Sequence, residues 1–335
     1  MIPDLHDHPD PPDAPEAGGG RPPSSGAGRG ARALRILAGA LLFLPARLPP
    51  RLLRACGGLA GDLFYLASSR RRRIAVVNVE RAQAAGYLPA DLAPRRVARL
   101  SFAAVARTVL EAMVLHQRGL APFRGGWRLE GRQNALDALA LARARGGGLV
   151  FLTAHMGPWE LAPHVMRAEF GVTMAVVGRG QGRGILDRLM VESRTGTGNT
   201  FIYKDRGARE MLAALRGGGC LGTLVDQAAV VEREGAELEF MGRPARTNLG
   251  PFKLAARTGA PLLPLFGRRE GGTAVFEIHP CLTPPEAPEP SWPREAAQKV
   301  NDLLGEAVRR RPGEWMWGHR RWKTPEGIRG DPDFF

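Results

Sequence analysis

The apolar and polar positions of this chain follow one pattern up to about residue 120 and another after it. Residues 33–67 are apolar but interrupted: one run covers 36–44 and stops at Pro45, Pro49 and Pro50 follow, and a second run covers 52–66. Neither reaches the roughly 18 to 20 residues that cross a bilayer. Arg32, Arg35, Arg47, Arg51 and Arg54 punctuate the segment and four arginines at 70–73 close it, as expected of helices lying in a membrane interface above anionic headgroups. A pair of amphipathic core helices has the same spacing. Two packing helices are predicted at 74–85 and 92–116, the second with Val97, Leu100, Ala104, Val105, Val109 and Met113 near helical period. Beyond Gly125 and Gly126, strand-like runs at 148–154, 173–177, 200–203, 220–225, 237–241, 261–266 and 273–279 alternate with helical ones. Those helices are placed at 135–145, from Pro158, and at 205–216, 251–258 and 294–311. The alternation predicts an α/β fold with a mixed, largely parallel central sheet flanked by helices. The expected organisation is a disordered tail at 1–30, interfacial membrane-associating helices at 31–73, an α/β domain at 74–327 and a C-terminal tail at 328–335.

Charge narrows the partners. The net charge is +14, and arginine contributes more of it than lysine. This favours phosphate or carboxylate partners held in bidentate geometry, whether on nucleic acid, anionic lipid or an acidic protein. Cys56, Cys220 and Cys281 are far apart and form no C-x-x-C pair, so neither a disulfide framework nor a zinc site is indicated. The first thirty residues have no basic segment followed by an apolar core and do not read as a secretory signal.

The chemistry is concentrated in GLVFLTAHMGPWELAPHVM, residues 148–166. A buried strand ends at Ala154, and Gly157 with Pro158 reads as an N-cap and first helical residue, so His155 is expected at the carboxyl end of a strand, where open α/β sheets bind ligands. Glu160 then falls at the third helical position, from which its carboxylate is expected to reach back to the imidazole. A histidine braced by a carboxylate suits proton removal from an alcohol attacking a carbonyl. Glutamate at that position is also a common capping residue. No G-x-S-x-G occurs, so the nucleophile is expected to be the substrate's own hydroxyl. The glycine-rich string at 178–184 fits no frame of G-x-G-x-x-G, because the third glycine falls on Arg183 or Ile185, which argues against a dinucleotide cofactor.

The H-x4-E of His155 and Glu160 resembles the H-x4-D/E signature of glycerolipid and lysophospholipid acyltransferases. Further blocks resemble, in order, the lipid A late acyltransferases, which transfer lauroyl and myristoyl groups: IAVVNVERA at 74–82, VVGRG with Arg179, LVDQ with Asp226 and Gln227, the stretch 239–266, and PGEWMWGHRRWKTPEG at 312–327. The resemblance covers about 30–327. It implies a fold like that of the glycerol-3-phosphate acyltransferases and a thioester donor, either acyl carrier protein or coenzyme A, with no resident cofactor or metal. The acceptor it implies is a hydroxyl of a lipid A precursor at the cytoplasmic face of the inner membrane. His155 and Glu160 are the expected catalytic pair. Gly157, Trp159, Arg179, Asp226, Gln227 and Arg320 are the expected substrate-binding residues, with Gly157 or Arg179 supplying the oxyanion donor. Acyl carrier protein, an anionic membrane surface and a glycolipid or phospholipid are the expected partners, and nucleic acid is not. Three alternatives stay open: a lysophospholipid acceptor, a phosphoinositol mannoside acceptor, and a non-catalytic binder of anionic membrane or nucleic acid that uses the tryptophans and cations of 315–323.

Overall fold

A computed structural model describes residues 47–178, 185–204, 207–229 and 235–322, with the side chains of 50 and 185–189 left aside. The expected tails at 1–30 and 328–335, the apolar run 36–44 and Arg179 lie outside the described residues.

The helical layer begins with α1 (Pro50–Ala67), which starts on a proline whose missing N–H costs nothing at the first helical position. It continues through α2 (Ser69–Ala84) and the long α3 (Pro94–Arg118). α1 docks on α3 through its small residues: a Cβ on Gly61 would lie 2.4 Å from Ala103 Cα, and one on Gly57 2.5 Å from Arg107 Cγ. Asp62 accepts both fork hydrogen bonds from Arg99, each 2.7 Å, across the same contact. With the glycine face spent on α3, Leu52, Leu59, Leu63, Phe64 and Leu66 are left exposed on α1. The arginines at 70–73 belong to the first turns of α2. No described helix is long and apolar enough to cross a membrane.

Seven strands form the central sheet in the order β1-β9-β8-β2-β5-β3-β4. They are β1 (Trp127–Glu130), β2 (Leu149–Thr153), β3 (Met174–Gly178), β4 (Thr200–Tyr203), β5 (Cys220–Leu224), β8 (Leu262–Glu270) and β9 (Thr273–Ile278). All neighbouring pairs are parallel except β8 with β9, so the sheet is mixed and largely parallel, as the alternation predicts. β2 is central and buried on both faces, hence its unbroken apolar run. Phe151 faces α4 (Arg132–Ala144) and α5 (Ala162–Phe170), while Val150 and Leu152 face the core beneath α2, α3, α8 (Gly250–Thr258) and α9 (Trp292–Arg310). Two more helices, α6 (Ile185–Thr195) and α7 (Ala208–Arg216), flank β4. A separate antiparallel hairpin, β6 (Gly235–Phe240) and β7 (Arg243–Asn248), turns at Met241 and Gly242, both with positive φ (52° and 71°), which suits the twist of a tight hairpin.

Three elements carry no readable signal in the sequence: β1 and β7, which are short and rich in polar residues, and α6. Both strands lie at an edge, as do β4 and β6, so composition is what hides them: WRLE and RPARTN hold too few apolar positions to mark a strand. One expectation is corrected. Helix α5 does not start at Pro158 with Gly157 as its cap: Gly157 has φ 58°, Pro158 has ψ 53°, and a 3-10 turn (Trp159–Leu161) precedes the helix. The backbone is forced there because a Cβ on residue 157 would sit 2.3 Å from the carbonyl oxygen of Gly267 on β8, and only glycine accepts that conformation cheaply.

Candidate active site

Strand register builds the site. In the parallel pair β2 and β5, Thr153 stands opposite Leu224, and Val225 N–H donates to Thr153 C=O at 3.0 Å to extend the ladder one step. His155 and Asp226 each follow two residues after that pair, so both reach the carboxyl edge at the same level. Asp226 Oδ1 lies 2.8 Å from His155 Nδ1, and Oδ2 accepts from the His155 backbone N–H at 3.2 Å and from Trp315 Nε1 at 3.0 Å. The brace on the imidazole is therefore Asp226, and Glu160 makes no hydrogen bond to it.

Asp226 is 2% exposed. Burial pushes its carboxyl group up, but the His155 charge and the hydrogen bonds from His155 and Trp315 outweigh that and hold it at about 2. An ionised carboxylate on Nδ1 fixes the proton there and leaves the Nε2 lone pair outward. Gln227 Nε2 stands 3.5 Å from that nitrogen, too long for more than a weak contact. Asp226 does not line the cleft, and its oxygens are committed to His155 and Trp315, whereas the sequence placed it among the substrate-binding residues.

Glu160, expected to hold His155, instead takes a bidentate fork from Arg194 on α6: Nε to Oε2 at 2.8 Å and Nη2 to Oε1 at 2.6 Å. The reason is the 3-10 turn, which aims the side chain across to α6 rather than back over the strand tip. Oε1 also accepts from Trp159 Nε1 at 2.9 Å. Burial pushes the Glu160 carboxyl group up, and the charge and hydrogen bonds of Arg194 pull it below the ordinary range. Trp159 in turn sets its ring edge-to-face with His155, centroids 5.4 Å apart, so Glu160 touches the imidazole through the indole and acts on it directly only by charge.

The C-terminal segment straps the catalytic turn in place. Gly157 N–H donates to Glu314 C=O at 2.9 Å and Met316 N–H to His155 C=O at 3.0 Å; Thr108 Oγ1 donates to Gly157 C=O at 2.8 Å. The Gly157 N–H is thus occupied and not the oxyanion donor that was expected. Asn78 Nδ2 donates to the carbonyls of Trp317 and His319 at 2.9 and 2.7 Å, and the buried Arg321 guanidinium donates to Arg246 C=O and Thr247 Oγ1 at 2.8 and 2.9 Å. Arg320 is half-buried on this strap and does not line the cleft.

The strand tip opens into a cleft of about 660 Å³, walled by α1, α3, α6 and the strap. His155, Trp159, Glu160, Arg194, Gln227 and His319 line it. A narrow apolar chamber beneath the sheet, walled by Phe151, Met166, Met174 and Leu265, shares Trp159, Glu160 and Arg194 with the cleft. Of the residues expected from the sequence, His155, Trp159, Glu160 and Gln227 line the cleft, Asp226 pairs with the imidazole, and Glu160 pairs with Arg194. The sequence pattern gives no sign of Arg194, and it marks Trp315 only as one of the tryptophans of the C-terminal block; only the order of blocks along the chain hints that 312–327 meets the catalytic turn.

Residues 31–324 match the family described as bacterial lipid A biosynthesis acyltransferase. The chain belongs to this family. Among curated relatives is the phosphatidylinositol mannoside acyltransferase of Mycobacterium tuberculosis H37Rv, 27% identical over 56% of this chain and 58% of its own length. Two others are from Escherichia coli K12: the lipid A biosynthesis lauroyltransferase, 33% identical over 27% of this chain and 29% of its own, and the palmitoleoyltransferase, 24% identical over 56% and 60%. The chain thus aligns with little more than half the length of the first of these relatives. A solved structure, the 1-acyl-sn-glycerophosphate (LPA) acyltransferase of Thermotoga maritima, aligns over 82% of this chain and all of that one, at 13% identity and a TM-score of 0.37.

Proposed function

We propose that this family member is an O-acyltransferase that moves a fatty acyl group from a thioester carrier to a lipid hydroxyl, with His155 as general base and Asp226 as its brace. The observation that carries this is the His155 Nδ1 to Asp226 contact at 2.8 Å on a ring that lines the cleft. In the reaction, Nε2 takes the proton of the acceptor hydroxyl as its oxygen attacks the thioester carbonyl. The tetrahedral intermediate collapses, the C–S bond breaks, and the thiolate takes the proton back from the imidazolium. No acyl-enzyme forms. Glu160 is a positioning residue: it neutralises Arg194 at the cleft wall and holds the Trp159 indole against His155.

The donor is acyl carrier protein, an acidic partner that the net positive charge steers in, and the acceptor is a hydroxyl of a lipid A precursor. A phosphatidylinositol mannoside acceptor is supported equally well by the mycobacterial relatives. The exposed leucines and Phe64 of α1, with the arginines at 70–73, support docking on the anionic cytoplasmic face of the inner membrane. The test is mass spectrometry of lipids from cells with and without the gene, beside transfer from acyl carrier protein by the purified full chain and its His155→Ala variant. A lipid lacking one acyl chain and loss of transfer in the variant are expected. Full transfer by His155→Ala would refute the mechanism.

A further inference from the structure

A second imidazole faces the same cleft and has no role in the chemistry above. His319 sits on the strap between two anchored residues: Trp317 N–H donates to Ser101 Oγ at 3.1 Å, and Arg321 N–H to the His319 carbonyl at 2.9 Å, with Asn78 on that carbonyl as well. Its position is thus set by the backbone. The ring lines the cleft together with His155. Its Nδ1 is sealed from solvent and has no hydrogen-bond partner among the described residues.

Burial, first of all, pushes the proton affinity of His319 down to about 4; Asp226 opposes this, while the charges of His155, Arg321 and Arg71 add to it. The imidazole is neutral at neutral pH and carries a single N–H. Placing that hydrogen on the sealed Nδ1 would bury a donor with nothing to accept it; an unpaired acceptor is the better tolerated of the two. The proton therefore belongs on Nε2, on the ring edge that the cleft reaches.

We propose that His319 is the oxyanion donor of the reaction: its Nε2–H hydrogen-bonds the thioester carbonyl oxygen as negative charge develops there. This rests on the acyl-transfer reading. Attack by the acceptor oxygen moves the carbonyl π pair onto that oxygen while His155 takes the hydroxyl proton. The hydrogen bond from His319 strengthens as the charge grows and relaxes when the carbonyl re-forms and the C–S bond breaks. A neutral imidazole suits the task because its N–H is a fixed dipole that needs no counter-ion and does not give up its proton to a thiolate. Strap anchors on both sides of His319 supply the preorganisation that such a donor needs.

The test has two arms on the full-length protein. Ring nitrogen NMR, with His319 assigned by comparison with His319→Gln, reads the tautomer without any substrate. A neutral Nε2–H form at pH 7 is expected, and a charged ring or an Nδ1–H tautomer overturns the proposal. Kinetics with acyl carrier protein thioester form the second arm: His319→Ala is expected to lose about 10² to 10³ in kcat with KM little changed. His319→Gln, whose amide N–H reaches a similar point, is expected to recover a large part of that loss. Should the alanine variant fail to fold, His319→Asn, whose shorter amide misses that point, takes its place against glutamine. Equal activity in the glutamine and truncated variants, or a change in KM alone, overturns the assignment. A wild-type protein that transfers nothing, with the expected tautomer in the first arm, refutes the acyl-transfer reading instead and the proposal with it.

Discussion

Trp315 Nε1 donates to Asp226 Oδ2 at 3.0 Å from a segment 89 positions further along the chain. The carboxylate that orients His155 is thus itself oriented by the C-terminal strap. Trp315→Phe removes this donor and, because phenyl is smaller than indole, also leaves a void in the buried aromatic cluster with Phe240 and Trp317. Loss of about 1–3 kcal/mol of stability is expected, together with a fall in kcat and a rise in the Asp226 pKa. Chemical denaturation and steady-state kinetics check it; an unchanged kcat would separate the strap from the chemistry.

Asp226→Asn leaves the geometry nearly intact but turns the Nδ1 partner into a side chain that can donate. The imidazole is then free to carry its proton on Nε2, where the base must be bare. By analogy with triads in which the same change was made, kcat is expected to fall by about 10⁴-fold, with little change in KM. Glu160→Gln, by contrast, is expected to act mainly on stability. A larger catalytic loss in Glu160→Gln than in Asp226→Asn would restore the H-x4-E carboxylate to the bracing role.

The Glu160–Arg194 pair is buried, with the glutamate side chain 3% exposed. Removing one partner strands a charge in the interior. Arg194→Met is expected to destabilise the fold by about 3–5 kcal/mol, whereas replacing both partners with apolar residues costs much less. A double-mutant cycle by urea unfolding measures the difference, and additive single losses would argue that the pair is not coupled.

Acid stability carries a signature of the site. Burial holds His164, like His319, down at about 4 from an ordinary 6.5. Their folded-state proton affinity is below the unfolded one, so stability is complete above about pH 6.5 and falls as pH drops towards 4. Asp226, at about 2 against an ordinary 3.8, extends the loss below pH 4. Unfolding free energy measured from pH 7 to 3 is expected to decline in that order, and His164→Gln should flatten the first part of the slope. A flat profile between pH 6.5 and 4 would mean that neither ring is held neutral by the fold.

Vesicle binding tests α1. Leu59→Glu with Leu63→Glu lies on the exposed face, so folding should be unaffected while retention on anionic vesicles falls sharply. Salt alone is expected to release the wild type only partly, because apolar insertion is not screened. Sedimentation with vesicles at low and high salt reads both, and complete release of the wild type by salt would leave only the arginines as the anchor.

How much of this was legible in the amino-acid order depends on the range of the interaction. Local chemistry was enough for the alternating elements of the α/β fold, for the apolar run of β2, and for placing His155 at a strand tip, because burial on both faces and turn residues act within a few positions. The resemblance of ordered blocks carried the family. The identity of the carboxylate beside His155 was not local: Asp226 lies 71 positions away and arrives through the parallel register of β2 with β5, which no spacing in the chain encodes. Glu160, five residues from His155, was drawn off because the close approach of Gly157 to β8 replaced the first helical turn with a 3-10 turn. Strand pairing and backbone packing thus put Asp226, which the sequence had placed among the substrate-binding residues, where Glu160 was expected.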